Sequence, residues 1–297
     1  MILQRGGGDL GSGVAWCLHR SGFRVVILEI EHPLVIRRTV SFAQAVIDGT
    51  ATVEGVTAVL AATVADARRA WDDEQLPVMV DPEMKVRAEL KPDVIVDATL
   101  AKRDTGMRRD MAPLTIALGP GFTAGVHAHI VIETQRGHDL GRLIFNGAAE
   151  ANTGTPAMVK GYGAERVLRA PCEGTVRYLV NIGSLVQRGE TICLVGDRPV
   201  VARFEGIVRG LIMEGRHVPE GLKIGDVDPR AVNTYCCTIS DKARALGGSV
   251  LEAILYFRNN NFTFPWDTRK PRKAGVGTRN PQPGTFRNSS SCPPGTP

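Results

Sequence analysis

The chain has 297 residues, 43% of them hydrophobic and 23% charged, with a formal net charge of +5. That length and apolar share allow a sizeable core in one large domain or two ordinary ones, and they exclude a wholly disordered chain. No apolar run reaches the roughly 18 residues of a membrane helix, and the first residues lack a secretory h-region, so a cytoplasmic protein without membrane contact is expected.

The positive charge is concentrated at one end. Between Arg258 and Pro297 seven Lys or Arg face a single acid, Asp267, which leaves 29 basic against 30 acidic side chains in residues 1–257. The folded part therefore gives no reason to expect a nucleic-acid partner. Cys17, Cys172, Cys193, Cys236, Cys237 and Cys292 are scattered without a C-x-x-C pair, so reduced thiols and no bound metal are expected.

In chain order, strands are predicted at Met1–Gln4, Arg24–Glu29, Val56–Ala61, Val78–Asp81, Val94–Asp97 and Leu114–Leu118, with helices over Gly13–Ser21, Ser41–Asp48 and Val64–Gln75. Alternation of short apolar runs with helix-period segments predicts a Rossmann-like parallel sheet, an α/β domain over residues 1–164. From about Glu165 the texture becomes glycine-punctuated and β-rich. There EGTVRYLVNIGSLVQRGETI (Glu173–Ile192) repeats as EGIVRGLIMEGRHVPEGLKI (Glu205–Ile224). The repeat predicts two copies of one β unit packed face to face. Each copy reads G-x-V, then G-x-x-V-x-x-G, and resembles the barrel-sandwich half-motif of biotinyl and lipoyl carriers. The intervening CLVGDRPVVARF contains no lysine to modify, which argues for docking or structure rather than a swinging arm.

TISDKARALGGSVLEAILYF predicts a closing helix, with Ser240 as N-cap and an apolar stripe through Ala243, Leu246, Val250, Leu251 and Ile254. A small barrel-sandwich-like β domain with this helix is thus expected over residues 165–257. Residues 258–297, with seven prolines and a NSSSCPPGTP end, are expected to form a disordered basic tail.

Gly6, Gly8 and Gly11 in RGGGDLGSG fit G-x-G-x-x-G between a predicted strand and a predicted helix, the context of a dinucleotide fingerprint. Glu29, at the end of the second strand, stands where an acid accepts hydrogen bonds from ribose hydroxyls. Arg37 and Arg38 nearby leave room for a 2′-phosphate instead, and Asp9 sets a carboxylate near the phosphates unless it is turned away or bound to a cation. A ligand-free turn of the same shape is the competing reading. Gly119 and Gly121 in GPGF follow a strand at the end where open sheets bind ligands. Glu133, Arg136, His138 and Arg142 form a polar cluster that suits an anion, or equally a surface turn with its own ion pair. His127 and His129 share one strand face, as a metal pair or as two exposed residues. The three histidines His127, His129 and His138 are also the proton-transfer candidates a dehydrogenase needs.

Taken in order, RGGGDLGSG, VDP (Val80–Pro82), LAKRDTG (Leu100–Gly106), LGPGFTAG, IETQRGHDLGR, NTGTP (Asn152–Pro156), ERVLRAP, KIGDVDPR and CCTISDKARALGG resemble the selenium-dependent molybdenum hydroxylase accessory proteins, the YqeB-like family. The resemblance runs from Met1 to about Tyr256 and implies a maturation factor for molybdenum hydroxylases. Such a factor would handle or deliver the molybdenum cofactor or its terminal chalcogen, with the hydroxylase apoenzyme as partner and a Rossmann domain like that of xanthine dehydrogenase accessory proteins. The expected ligands are an NAD(P)-like nucleotide, the molybdenum cofactor, or both, held in one crevice by Gly6, Gly8, Gly11, Glu29, Gly119, Gly121, Arg136 and His138. Cys236 and Cys237, just before the closing helix, are the candidates to relay sulfur or selenium, since a thiol at a helix N-terminus has more thiolate; burial of an inert cysteine is the alternative. An NAD-dependent oxidoreductase is the competing function, a pure scaffold a third, and a homo-oligomer is left open.

Overall fold

A computed structural model describes residues 1–260 except 155 and 157. Its first part runs β1 (Ile2–Arg5), α1 (Asp9–Arg20), β2 (Val25–Glu29), α2 (Ala45–Asp48), β3 (Thr50–Val53), β4 (Val56–Leu60), α3 (Val64–Asp72), β5 (Leu76–Val80), α4 (Arg87–Leu90), β6 (Val94–Asp97), β7 (Leu114–Leu118), β8 (Thr123–Ala124), β9 (Ile130–Ile132), β10 (Leu143–Ile144) and β11 (Gly147–Ala148). Strands β2, β5, β6 and β7 are nearly continuous apolar runs, and β1 between them buries even its Gln4, because both faces of these strands are covered. They form the centre of a nine-stranded sheet in the order β10-β9-β7-β6-β1-β2-β5-β4-β3. Pairing is parallel from β9 through to β4, while β10 and β3 add antiparallel edges.

Chain alternation sends successive side chains to opposite faces of this sheet. Ile2, Val25, Ile27, Val94 and Ile116 face α1 and the last helix, whereas Leu3, Val26, Leu28, Ile95 and Ala117 face α3, Met107 and Phe122. Thr63 starts α3 through a capping box in which its hydroxyl accepts from the Asp66 amide and the Asp66 carboxylate accepts from the Thr63 amide. The β3–β4 hairpin, absent from the sequence reading, turns through Glu54 and Gly55, both at positive φ (44° and 81°). That is the backbone demand of a two-residue primed turn.

The second part runs β12 (Val167–Arg169), β13 (Gly174–Tyr178), β14 (Leu185–Val186), β15 (Thr191–Val195), β16 (Arg198–Val201), β17 (Gly206–Leu211), β18 (His217–Val218), β19 (Lys223–Asp228), α5 (Thr234–Cys237) and α6 (Asp241–Asn260). The repeated segments supply β13–β15 and β17–β19, and each short strand crosses to the other copy: β14 pairs with β17 and β18 with β13. Two four-stranded sheets result, in the orders β12-β19-β17-β14 and β16-β15-β13-β18, around a core that includes Val176, Ile192, Val208 and Ile224. The first glycine of each copy is a steric requirement: a Cβ on Gly174 would lie 2.8 Å from the Gly196 amide nitrogen, and one on Gly206 2.7 Å from the Asp228 carbonyl oxygen.

α6 returns to the large sheet and lies parallel to α1. Their seam is backbone on backbone, with Gly13 against Ala243 and Gly247 against Gly13 and Cys17. Leu246, Val250 and Ile254 complete the core on this face, each burial contributing about 1.5–3 kcal/mol.

These features correct the expected fold class, a Rossmann-like parallel-sheet domain followed by a barrel-sandwich-like domain with its own closing helix. The large sheet is mixed. Its β4 lies outside β5, where a Rossmann succession places the third strand next to the second, and no full helix covers the β6–β7 or β7–β9 connections. The last helix belongs to the large sheet rather than to the β-rich part, because its apolar stripe matches the face that α1 leaves half covered. The expected tail also starts later, since Arg258–Asn260 continue α6; the remainder lies outside the described residues.

Candidate functional site

The chain leaves β1 through Gly6, whose φ of +92° requires glycine, and enters α1 at Asp9. A Cβ on Gly11 would lie 2.3 Å from the Gly6 carbonyl oxygen, and one on Gly7 would lie 3.0 Å from the Ala43 nitrogen. Gly8 differs. Its backbone is extended, and its nearest neighbour to an added Cβ is Val35 Cγ1 at 3.8 Å. The protein's own packing thus explains Gly6, Gly7 and Gly11, while Gly8 faces a cavity of about 500 Å³ lined by Glu29, Thr99, Leu100, Arg103 and the turn itself.

Glu29 reaches back across this cavity. Its carboxylate accepts from the Gly7 amide at 2.6 Å and from the Ile30 amide at 3.1 Å. Burial pushes its pKa up against the pull of those two amides. Asp9 is turned away: Oδ1 accepts from Leu10 N, and Oδ2 faces Arg37 Nη1 at 3.4 Å. Arg38 points elsewhere, donating to the Leu211 carbonyl and the Tyr178 hydroxyl. Neither arginine lines the Glu29 cavity, where the guanidiniums present are those of Arg5 and Arg103.

The remaining predicted residues are not gathered into the same crevice. Gly119 and Gly121 are packing glycines: a Cβ on Gly121 would lie 2.4 Å from the Ala101 carbonyl, and one on Gly119 3.3 Å from the Thr134 hydroxyl. The 101–103 loop occupies the space a ligand would need. His138 lines a separate pocket with Asp139, Gly141, Phe145 and Tyr256. Glu133 is buried, and its carboxylate organises the loop by accepting from the amides of Thr134, Gln135 and Glu150. His127 and His129 are not a metal pair. Their Nδ1 atoms bond the Thr123 amide and Thr115 respectively, and no metal-binding cluster occurs among the described residues.

The two cysteines part company. Cys236 is buried against the Val208 carbonyl, and burial raises its thiol pKa, the opposite of the expected activation. α5 has a single turn and holds both cysteines at its C-terminal end, so neither sits at the start of α6. Cys237 is exposed.

Arg136 does face a large cavity, but a second one. This cleft of about 770 Å³ shares Asp9 and Leu10 with the glycine-turn cavity and lies where the N-terminal ends of α1 and α6 meet β17 and β19. Arg136 holds Asp241 in a bidentate pair at 2.6 and 2.7 Å. Deeper in, Arg166, Arg209 and Arg230 share Asp226 and Asp228, with Arg209 Nε 2.7 Å from Asp226 and Arg230 Nη2 2.6 Å from Asp228. Burial alone would raise the Asp228 carboxyl; hydrogen bonds from Arg230 and the nearby Arg209 charge outweigh it and hold the pKa at about 2, below its ordinary 3.8.

A pH dependence follows. The stability that Asp228 confers is complete above about pH 4 and disappears as pH falls toward 2, because a depressed carboxylate pKa means the unfolded chain takes up protons first. Asp228→Asn, which leaves buried arginine charge less compensated, should cost about 3 kcal/mol at pH 6 in urea titrations. The gap to wild type should close progressively below pH 4; a gap unchanged down to pH 2 would contradict the assignment.

No family model matches the chain. Over 255 residues, 86% of its length, it is 52% identical to YqeB of Escherichia coli (strain K12). The chain is a relative of YqeB. It spans about half of that protein, 47% of its length. Among solved structures, an aspartoacylase family protein from Mesorhizobium loti is 10% identical, covering 76% of this chain and 83% of its own, with a TM-score of 0.26. The ectoine utilization protein EutE from Ruegeria pomeroyi is 11% identical, covering 76% and 84%, with a TM-score of 0.25. Likeness at that level carries no assignment of fold or activity. The described residues include no helix long and apolar enough to cross a membrane.

Proposed function

We propose that this YqeB relative is a maturation factor for molybdenum hydroxylases, handling or delivering the molybdenum cofactor or its terminal chalcogen in the cytoplasm. The observation that carries this reading is convergence. Segments that resemble the accessory family, scattered from residue 9 to residue 242, supply Asp9, Arg136, Arg166, Lys223, Asp226, Arg230 and Lys242 to one cleft beside the glycine turn. The glycine-turn cavity would take the phosphate of a nucleotide or pterin against the start of α1, where unbonded amides and the helix dipole favour an anion. Glu29 would accept from the ligand's hydroxyl or amino hydrogens with the lone pairs that Gly7 and Ile30 leave free. Of the two cysteines, Cys237 would be the one to meet a partner's sulfur or selenium donor, a role its exposure supports.

An NAD-dependent oxidoreductase draws support from the glycine turn and Glu29. No histidine lines the glycine-turn cavity among the described residues, which favours holding a ligand over proton-coupled hydride transfer.

The test is co-purification of the full chain with a molybdenum hydroxylase apoenzyme, with molybdenum and pterin content measured in the captured complex, beside NADH binding and turnover. Wild type should retain hydroxylase or cofactor. Gly8→Asp, which the fold accommodates, should lose the cofactor because its carboxylate enters the phosphate position. NADH turnover without capture of hydroxylase would establish the competing reading, and capture of neither would end the first.

A further inference from the structure

The cleft at the α1/α6 junction contains more positive charge than its own carboxylates balance. Arg37, Arg136, Arg166, Arg209, Lys223, Arg230 and Lys242 line it, against Asp9, Asp226 and Asp241. Asp228, just behind the wall, adds one more carboxylate, yet it is shared by Arg209 and Arg230. Two features distinguish this from a surface network that is merely self-satisfied. Arg37 is buried, at 7% exposure, and its Nε has no hydrogen-bond partner, although Nη2 donates to the Tyr235 and Thr238 carbonyls at 2.9 and 3.0 Å and Nη1 faces Asp9 at 3.4 Å. The Lys242 ammonium is half-buried in the wall, and no carboxylate of the described residues lies within ion-pair distance of it.

Geometry adds to the charge. α1 and α6 run parallel, so their positive ends converge on this cleft instead of cancelling. Burial, then the neighbouring Arg136 charge, lowers the Lys242 pKa, and the Asp9, Glu133 and Asp241 carboxylates offset this only in part from beyond contact distance. A half-buried ammonium with no carboxylate in contact is costly, and a bound anion is the ordinary relief.

We propose that this cleft is a second anion site, adjoining the glycine turn, that binds a compact polyphosphate group. Lys242 and Arg136 make the direct contacts, while Arg37, Arg209 and Arg230 are held in place by the fold and supply fixed positive potential. Arg136 reaches the anion by exchanging one of its two bonds to Asp241, which stays on the rim at 75% side-chain exposure. The volume of about 770 Å³ suits a di- or triphosphate with part of an attached group, and is too confined for duplex nucleic acid. This assignment stands independently of the maturation role, since it concerns only what the cleft's charge selects.

Inorganic pyrophosphate is the probe, titrated calorimetrically into the full chain at low and moderate salt. Wild type should bind it more tightly than inorganic phosphate, with affinity falling as salt rises. Lys242→Gln and Arg136→Gln should each weaken binding about tenfold or more, the loss of one charge-assisted hydrogen bond. Lys85→Gln, which removes an exposed charge outside the cleft's lining, should change affinity less than twofold, and circular dichroism should show all three variants folded. Absence of pyrophosphate binding in wild type would overturn the proposal, as would equal affinities in Lys242→Gln, Arg136→Gln and Lys85→Gln. Binding lost in Gly8→Asp but kept in Lys242→Gln would assign the anion to the glycine turn and overturn it as well.

Discussion

Gly11→Ala should cost about 3 kcal/mol and lower the melting temperature by about 10 °C, while Gly8→Ala, three residues earlier in the same motif, should melt with the wild type. The contrast comes from what each new methyl would meet. At Gly11 the Cβ would stand 2.3 Å from the Gly6 carbonyl oxygen and 3.2 Å from Gln4 Nε2. Both neighbours are fixed, because Gln4 Nε2 donates to the Gly6 and Gly11 carbonyls and ties the turn to the sheet. Relief requires moving α1 off β1, which opens the most buried part of the molecule. At Gly8 the methyl has 3.8 Å to Val35 Cγ1 and an extended backbone that any residue adopts. Thermal unfolding of the two variants measures this directly. Equal melting temperatures would mean that the turn is looser than described and that Gly8 is not singled out for a ligand.

The seam between α1 and α6 supports a second strong contrast. Gly247→Ala should destabilise by about 2–3 kcal/mol, whereas Gly248→Ala, its immediate neighbour, should stabilise by up to about 1 kcal/mol through helix propensity alone. A Cβ on Gly247 would lie 2.7 Å from the Gly13 carbonyl oxygen and 2.8 Å from Cys17 Cβ, whereas one on Gly248 meets nothing within 4 Å. Denaturant titrations of both variants decide the matter. The same sign for the two changes would refute the parallel packing that brings both helix starts to the cleft.

Much of the secondary structure was legible because it is local. All six predicted strands occur, since runs such as VVILE and LTIAL can be buried on both sides only inside a sheet. β3 escaped notice because Thr50–Val53 is half polar, and the Glu54–Gly55 pair that turns it is a weaker hairpin signal than Asn-Gly. Strand order was not legible. β2 passes over the β3–β4 hairpin to pair with β5, Ile27 beside Val78, a non-local pairing, and a Rossmann succession was the nearest familiar pattern.

The site divides in the same way. Gly6, Gly8, Gly11 and Glu29 do surround one cavity, because strand–turn–helix geometry follows from neighbours in sequence. Gly119 and Gly121 misled, since a glycine demanded by a passing loop and one demanded by a ligand look alike in sequence. The arginine cluster of the cleft was missed altogether. Its trace was Asp226 and Asp228 two residues apart on β19, hence on one face, beside Arg209 on the neighbouring β17. A repeated acidic side chain on an otherwise buried strand signals a buried counter-charge elsewhere, here three guanidiniums.

Because α6 covers the sheet face that β1 and α1 begin, the surface around Leu18 stays uncovered until the segment around Ile254 has been synthesised. At ordinary translation speeds that interval is roughly ten to fifty seconds. Val14 and Leu18 pass it with an apolar face unpartnered, so ribosome stalling before Asp241 should leave a chain prone to aggregation.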